Sequence, residues 1–200
     1  SIVSTQRTGR RTMPHRMALA VRPGHLLDDL RNEERGLRVP AISPGQRPRL
    51  GFVFPGGGSQ YPGMGAGFGP EFAVYHETIA ELRELFLDHD APDLRDLLDP
   101  SHAADELARP TESLPAVFSV TVAMARQWLA LGAEPDFLLG HSLGEYAAAH
   151  LAGVMSLDAA VSLVAGRSRL MEKVSGDNAA MLVVPAVSYT HLTLPTNGLV

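Results

Sequence analysis

The sequence predicts an α/β protein, and two patterns carry that reading. A compact apolar run, Leu50 to Phe54, breaks at Pro55 into Gly56-Gly57-Gly58, and an amphipathic stretch from Glu71 to Leu87 follows it. A second short run, Phe137 to Leu139, breaks into Gly140-His141-Ser142-Leu143-Gly144 and again leads into helix-forming residues. Strand, glycine-bearing turn, helix is the signature of that class.

The elements follow in order. From Met17 to Leu30, the apolar run Met-Ala-Leu-Ala-Val passes through Arg-Pro-Gly into Leu-Leu-Asp-Asp-Leu, which reads as strand, turn and helix start. Gly and Pro recur between 36 and 48, and that stretch is expected to be a linker. Leu114 to Leu131 is long and mostly apolar, with Pro115 placed for a first turn and Gly132 placed to stop it, so it predicts a buried helix. Pro135 resets the chain before the strand Phe137 to Leu139. Two helices follow, Ala147 to Val154 and Leu157 to Val174, separated by Gly153 and by Ser156, a capping residue.

Composition bounds the function classes. With 200 residues, 45% apolar and 20% charged, the chain can bury one sizeable core beside a smaller neighbour. It has no run of eighteen apolar residues, and its polar, basic start lacks the apolar segment of a signal peptide, so a cytoplasmic protein with no membrane partner is expected. Zero cysteines exclude a disulfide framework, thiolate metal sites and a thiol nucleophile from these residues, and no metal site is expected. The net charge of -5 hides a split: residues 1–49 carry ten arginines and four acids, the remainder seven basic and eighteen acidic residues. Such a change of sign marks a boundary between units. The basic arm lacks aromatic interleaving and any reading motif, so nucleic acid is not an expected partner.

The strongest chemical signal is Gly140-His141-Ser142-Leu143-Gly144, set between a predicted strand and a predicted helix as a nucleophile elbow requires. Such a turn forces the serine into a strained backbone conformation, and side chains two positions to either side would collide, hence the two glycines. The following helix aims its amides at Ser142, and the amide of Leu143 is the natural first donor to a tetrahedral oxyanion. His141 is a poor base from this position and is expected to pack beneath the elbow. The loop Pro55-Gly56-Gly57-Gly58-Ser59-Gln60 can bring bare backbone to a reacting carbonyl and offer a second amide. It lacks the Gly-Lys-Ser/Thr of a phosphate cradle and the spacing of a dinucleotide loop, though a plain tight turn remains an alternative.

Arg167 is the third candidate. On a helical wheel Leu157, Ala160, Leu163, Val164, Leu170, Met171 and Val174 gather on one face with Arg167 in its middle, while Arg169, Lys173 and Asp158 fall on the polar face. An inward guanidinium needs a partner, either an internal carboxylate or a carboxylate on a substrate.

Together these residues resemble the malonyl-type acyltransferases of modular polyketide synthases and of fatty acid synthesis. The resemblance runs from Arg49 to about Val184 through Phe54-Pro-Gly-Gly-Gly-Ser-Gln-Tyr-Pro-Gly-Met-Gly, Gly140-His-Ser-Leu-Gly-Glu-Tyr, Leu151-Ala-Gly-Val-Met-Ser-Leu and Arg167-Ser-Arg-Leu-Met. Residues 5–35, with Gly9-Arg10-Arg11 and Pro14-His15-Arg16, resemble the linker joining a ketosynthase to such a domain. The resemblance implies an α/β-hydrolase-like core at 49–178, a ferredoxin-like small subdomain beginning at 179–186, and a small α/β linker at 1–48. It implies that Ser142 takes an acyl group from acyl-CoA, that amides of Gly57 and Leu143 form the oxyanion hole, and that Arg167 grips the carboxylate of malonyl or methylmalonyl units. The acceptor would be the phosphopantetheine of an acyl carrier protein domain, with a ketosynthase domain adjacent and no cofactor bound by this domain itself. Leu143, where methylmalonyl-selective members often carry Gln, points to malonyl-CoA.

Three departures accompany the match. Gly57 stands where many members have Gln, which changes little if a backbone amide is what matters. Leu114 replaces a Gln common before Pro-Ala. The histidine base of the family lies further downstream than this sequence reaches, and His150 and His191 match no such motif. The chain is therefore expected to be a fragment inactive on its own, with 187–200, whose Ser188-Tyr-Thr-His-Leu-Thr-Leu-Pro-Thr continues the family pattern in no recognisable way, as a non-native tail. The rival readings are a serine esterase or thioesterase, which shares the elbow but has no need of an inward arginine, and a noncatalytic fragment.

Overall fold

The computed structural model describes residues 16–18, 24–31, 37–39 and 48–174, and the chain divides into two units, Ser1–Leu50 and Gly51–Val200. The stretches read as the start of a small subdomain and as a tail, 179–186 and 187–200, lie outside the described residues, as does His191. Among the described residues no helix is long and apolar enough to cross a membrane.

In the first unit strands β1 (Arg16–Ala18) and β2 (Leu37–Val39) pair antiparallel, with Met17 opposite Arg38, and helix α1 (Leu26–Arg31) lies between them in the chain. The turn at Gly24, with φ +80°, and Asp28 and Asp29 in the first helical turn suit the start of α1. Strand β2 falls inside the stretch read as linker. Its three residues, bounded by Gly36 and Pro40, are too few to show an alternating pattern against that background.

The second unit runs β3 (Gly51–Phe54), α2 (Ala73–Asp88), α3 (Leu94–Leu97), α4 (Pro110–Ala130), β4 (Phe137–Gly140), α5 (Gly144–Leu151) and α6 (Leu157–Val174). Strands β3 and β4 are parallel, Gly51 opposite Phe137 and Phe54 opposite Gly140. A parallel pair needs a long crossover, here helices α2 to α4, and it brings both strand C-termini to one edge. The glycine loop and the Ser142 turn therefore emerge side by side. Val53 and Leu139, paired in register, are 69% and 58% exposed.

Helix α4 is the centre of the core. All residues from Ser113 to Val120 are buried, and α2, α3, α5 and α6 each pack against this helix. Phe118 of α4 meets Phe86 of α2 edge to face at 6.2 Å between centroids, and neither is more than 1% exposed. From α6, Leu157, Ala160, Val161, Val164 and Ala165 complete the same cluster. The buried helix expected at Leu114 to Leu131 begins four residues earlier: Pro110 takes the first-turn place, and Pro115 lies inside the helix. Gly132, with φ +87°, ends it as expected, with the amide of Ala133 returning to the carbonyl of Trp128 at 3.0 Å.

Two other boundaries moved for local reasons. Helix α5 spans Gly144–Leu151 where Ala147–Val154 was expected, because the serine turn feeds directly into its first turn and Gly153, with φ +75°, ends it. Ser156 caps α6 as expected, its Oγ accepting from the amide of Ala159 at 3.1 Å. The short α3 was not anticipated. Asp93 caps it by accepting from the amide of Arg95 at 2.9 Å, and two charge-assisted bonds of 2.7 Å from Arg83 of α2 hold the same carboxylate. Those arginine bonds, Arg83 first, keep the Asp93 carboxyl well below the usual carboxylate range.

Phe118→Ala should destabilise the protein by about 3–5 kcal/mol, since it empties the centre of a closed cluster. Urea denaturation monitored at Trp128 measures it, and a loss below about 1 kcal/mol would contradict a core built on α4.

Candidate active site

The ends of β3 and β4 are tied together where the site begins: the amide of His141 donates to the carbonyl of Phe54 at 3.0 Å. The chain then reverses through Ser142 with φ +52°, one of two non-glycine residues with positive φ among those described. An L-residue held there costs on the order of 1–3 kcal/mol and persists only where its surroundings leave no alternative. The surroundings are backbone. A Cβ at Gly140 would strike the backbone of Glu145 and Gly144, and one at Gly144 would strike the carbonyl groups of Phe54 and Pro55. The collisions expected of side chains at these two positions are thus the ones found.

Arg167 reaches this turn from α6. Its Nη2 donates to Ser142 Oγ at 2.9 Å, and its guanidinium carbon lies 5.6 Å from the centre of the Tyr146 ring. Among the described residues no carboxylate pairs with it. Of the two partners open to an inward arginine, the internal acid is the one not seen there. The wheel reading of α6 needs correction, however. Leu157, Ala160 and Val164 are buried, but Leu163, Leu170 and Val174 are at least half exposed. Helix α4 covers only part of the apolar stripe, and Arg167 is half-buried at the border of the covered part.

The glycine loop lies beside the serine through Gly56. A Cβ there would lie 2.8 Å from His141 Nδ1 and 3.3 Å from Ser142 Cβ. Gly57 is one step further out and exposed, with Leu114 Cδ1 its nearest neighbour at 3.8 Å from a built Cβ. Gly56, which sequence reasoning did not single out within the run, is thus the one of the three loop glycines that lies against Ser142. The loop is braced by Ser59 Oγ donating to the Gly56 carbonyl at 3.0 Å and by the Gly58 amide donating to Gln60 Oε1 at 2.8 Å. The amides of His141, Gly144, Glu145 and Tyr146 close the serine turn and the start of α5. Those of Gly57 and Leu143 are not among these donors, while the Leu143 side chain is buried in the core at 2% exposure.

One of the histidines is placed differently from expectation. His141 is exposed and lies against Gly56, not beneath the elbow, because the absent Cβ of Gly56 leaves it that slot. His150 is half-buried towards the far end of α5. Arg126 Nη2 sits 3.2 Å from its Nε2, the carbonyl of Met155 lies 3.3 Å from its Nδ1, and Arg126 also bonds Glu81 at 2.6 Å. A guanidinium only donates, so Nε2 accepts and Nδ1–H donates to Met155, which fixes the neutral tautomer. Burial, with the Arg126 charge behind it, pushes the His150 pKa below its ordinary 6.5. Among the described residues no histidine hydrogen-bonds Ser142.

Residues 51–194 match a family model described as the acyl transferase domain. The chain is 40% identical over 150 residues to the spectinabilin polyketide synthase system protein NorA of Streptomyces orinoci, covering 75% of this chain and 8% of that protein. Among solved structures it resembles the acyl transferase domain of SpnD in complex with 2-(pent-4-yn-1-yl)malonyl, with TM-score 0.72, 35% identity, and 84% of this chain set against 40% of that one. It also resembles PlMCAT:AntF, a type II polyketide synthase acyl carrier protein in complex with its malonyl-transacylase, with TM-score 0.57, 35% identity, and 63% and 40% of the two chains covered.

His150 makes the fold sensitive to mild acid. Its folded pKa lies below the unfolded value, so the unfolded chain takes up the proton first. The stability it contributes is full above about pH 6.5 and is lost as the pH falls below that value towards the depressed folded pKa. Urea midpoints between pH 7.5 and 5 should fall with acid, and His150→Gln should flatten that slope. An unchanged slope in the variant would refute the assignment.

Proposed function

As the chain belongs to the acyl transferase domain family, we propose that it carries the serine part of a polyketide synthase acyltransferase, moving a malonyl-type unit from acyl-CoA to the phosphopantetheine thiol of an acyl carrier protein. One observation carries this reading: a guanidinium with no acidic partner among the described residues stands 2.9 Å from a serine hydroxyl held at positive φ.

Ser142 Oγ attacks the thioester carbonyl, the carbon–sulfur bond breaks, and coenzyme A leaves as a thiol that takes the proton lost from the hydroxyl. The carrier thiol then attacks the serine ester and returns the proton to Oγ. Arg167 cannot remove that proton, since a guanidinium stays protonated. Its donors beyond the bond to Oγ suit a bidentate grip on the distal carboxylate. The family resemblance assigns the proton transfer to a histidine in a motif that neither His150 nor His191 matches. The Gly57 and Leu143 amides, outside the bonds that close the loop and the turn, are the oxyanion donors.

The choice of malonyl over methylmalonyl rests on Leu143. The same reading places a ferredoxin-like subdomain after α6 and a ketosynthase linker before β3. An ester hydrolase would share the serine turn, but Arg167 would have no carboxylate to bind there.

In the full-length protein, mass spectrometry after incubation with malonyl-CoA should locate the adduct on Ser142, and Ser142→Ala should abolish it while the fold remains. An adduct on another residue would overturn the assignment. Arg167→Ala should lower kcat/KM for malonyl-CoA by about 10- to 100-fold, the worth of a charge-assisted pair, with little effect on acetyl-CoA. Equal losses for both substrates would make Arg167 a structural residue.

A further inference from the structure

Arg167 has a long side chain of high rotamer entropy and no acid to anchor it among the described residues, yet its fork meets Ser142. The second contact is aromatic. Tyr146 lies four residues after Ser142, in the first turn of α5, and α5 packs against α6. The guanidinium carbon is 5.6 Å from the ring centre, within the range of a cation–π attraction. The ring itself is half-buried and packs against the core, which fixes its plane.

We propose that Tyr146 is a positioning residue, whose ring holds the Arg167 guanidinium over the serine and thereby sharpens selection for acyl groups bearing a carboxylate. The inference rests on the proposed function and deepens it. The two contacts of Arg167 are not equivalent through the reaction cycle. Once Oγ is esterified it is a poorer acceptor, and the ring becomes the contact still able to orient the fork while a carboxylate occupies it. Loss of the ring therefore lets the fork wander, and only a substrate that uses the fork is affected. A ring that merely filled space would influence both kinds of substrate alike.

Malonyl-CoA and acetyl-CoA loading by the full-length protein separates these cases. Tyr146→Leu should lower the malonyl-to-acetyl ratio of kcat/KM by about fivefold, the scale of a partly exposed cation–π contact, with acetyl loading unchanged. Tyr146→Phe keeps the ring face and should keep the ratio. Tyr146→Met repeats the test with a larger side chain should the leucine variant fail to fold, as judged by circular dichroism. An unchanged ratio in the leucine and methionine variants, or parallel losses for both substrates, would overturn the proposal. A phenylalanine variant as impaired as leucine would overturn it too, by moving the effect to the hydroxyl. The Arg167→Ala control tells failures apart: if it leaves the ratio untouched, the carboxylate reading itself falls and this inference with it.

Discussion

The site depends on a contact in which no side chain takes part, the approach of Gly144 at the start of α5 to the carbonyl of Phe54 at the end of β3. The same carbonyl accepts from His141, so the strand end is both bonded to the turn and in steric contact with it. A turn clamped this closely has little freedom left. The backbone at Ser142 takes its strained value because the two arms of the turn, 140 and 144–145, already touch. Any side chain at 140 or 144 would push β4 or α5 away from β3, and the serine would relax with them.

The rest of the second unit secures that contact. Leu143 and Ala147 bury themselves with the residues of α4, which anchors the first turn of α5 in the core. The stabilisation of a buried leucine side chain, about 1.5–3 kcal/mol, is comparable with the strain at the serine. At the other end of α5, His150 links the helix to Met155 and, through Arg126 of α4, to Glu81 of α2. Helix α6 packs on the same α4 and delivers Arg167. The two side chains that meet at 2.9 Å are thus carried by separate helices referred to one common element.

What the sequence made legible was what short-range sterics determine. The strand, turn and helix around Ser142 could be read because the turn is spelled out in adjacent residues and Gly140 answers to a collision only four to five places away, although Gly144 answers to Phe54 and Pro55 at the end of the other strand. Ser156 and Gly132 were legible for the same local reason. Arg167 could be placed on a helix face by periodicity, but periodicity does not say how much of a face a neighbour covers. Hence Leu163, Leu170 and Val174 were expected inside and lie outside. Three adjacent glycines carry no mark of which one faces the serine, so Gly56 was not distinguished from Gly57. The Glu81, Arg126 and His150 network spans three helices and leaves no local signal at all.

The exposed pair Val53 and Leu139 bears on how the molecule behaves in a test tube. Parallel strands ordinarily have apolar cover on both faces, and here one residue from each strand, side by side in register, meets water instead. Phe137 of the same ribbon is 47% exposed. An aliphatic and aromatic ledge of this kind invites self-association at high concentration. Colloidal stability and folding stability therefore become separate properties of these 200 residues, and a preparation that precipitates on concentration need not have unfolded first.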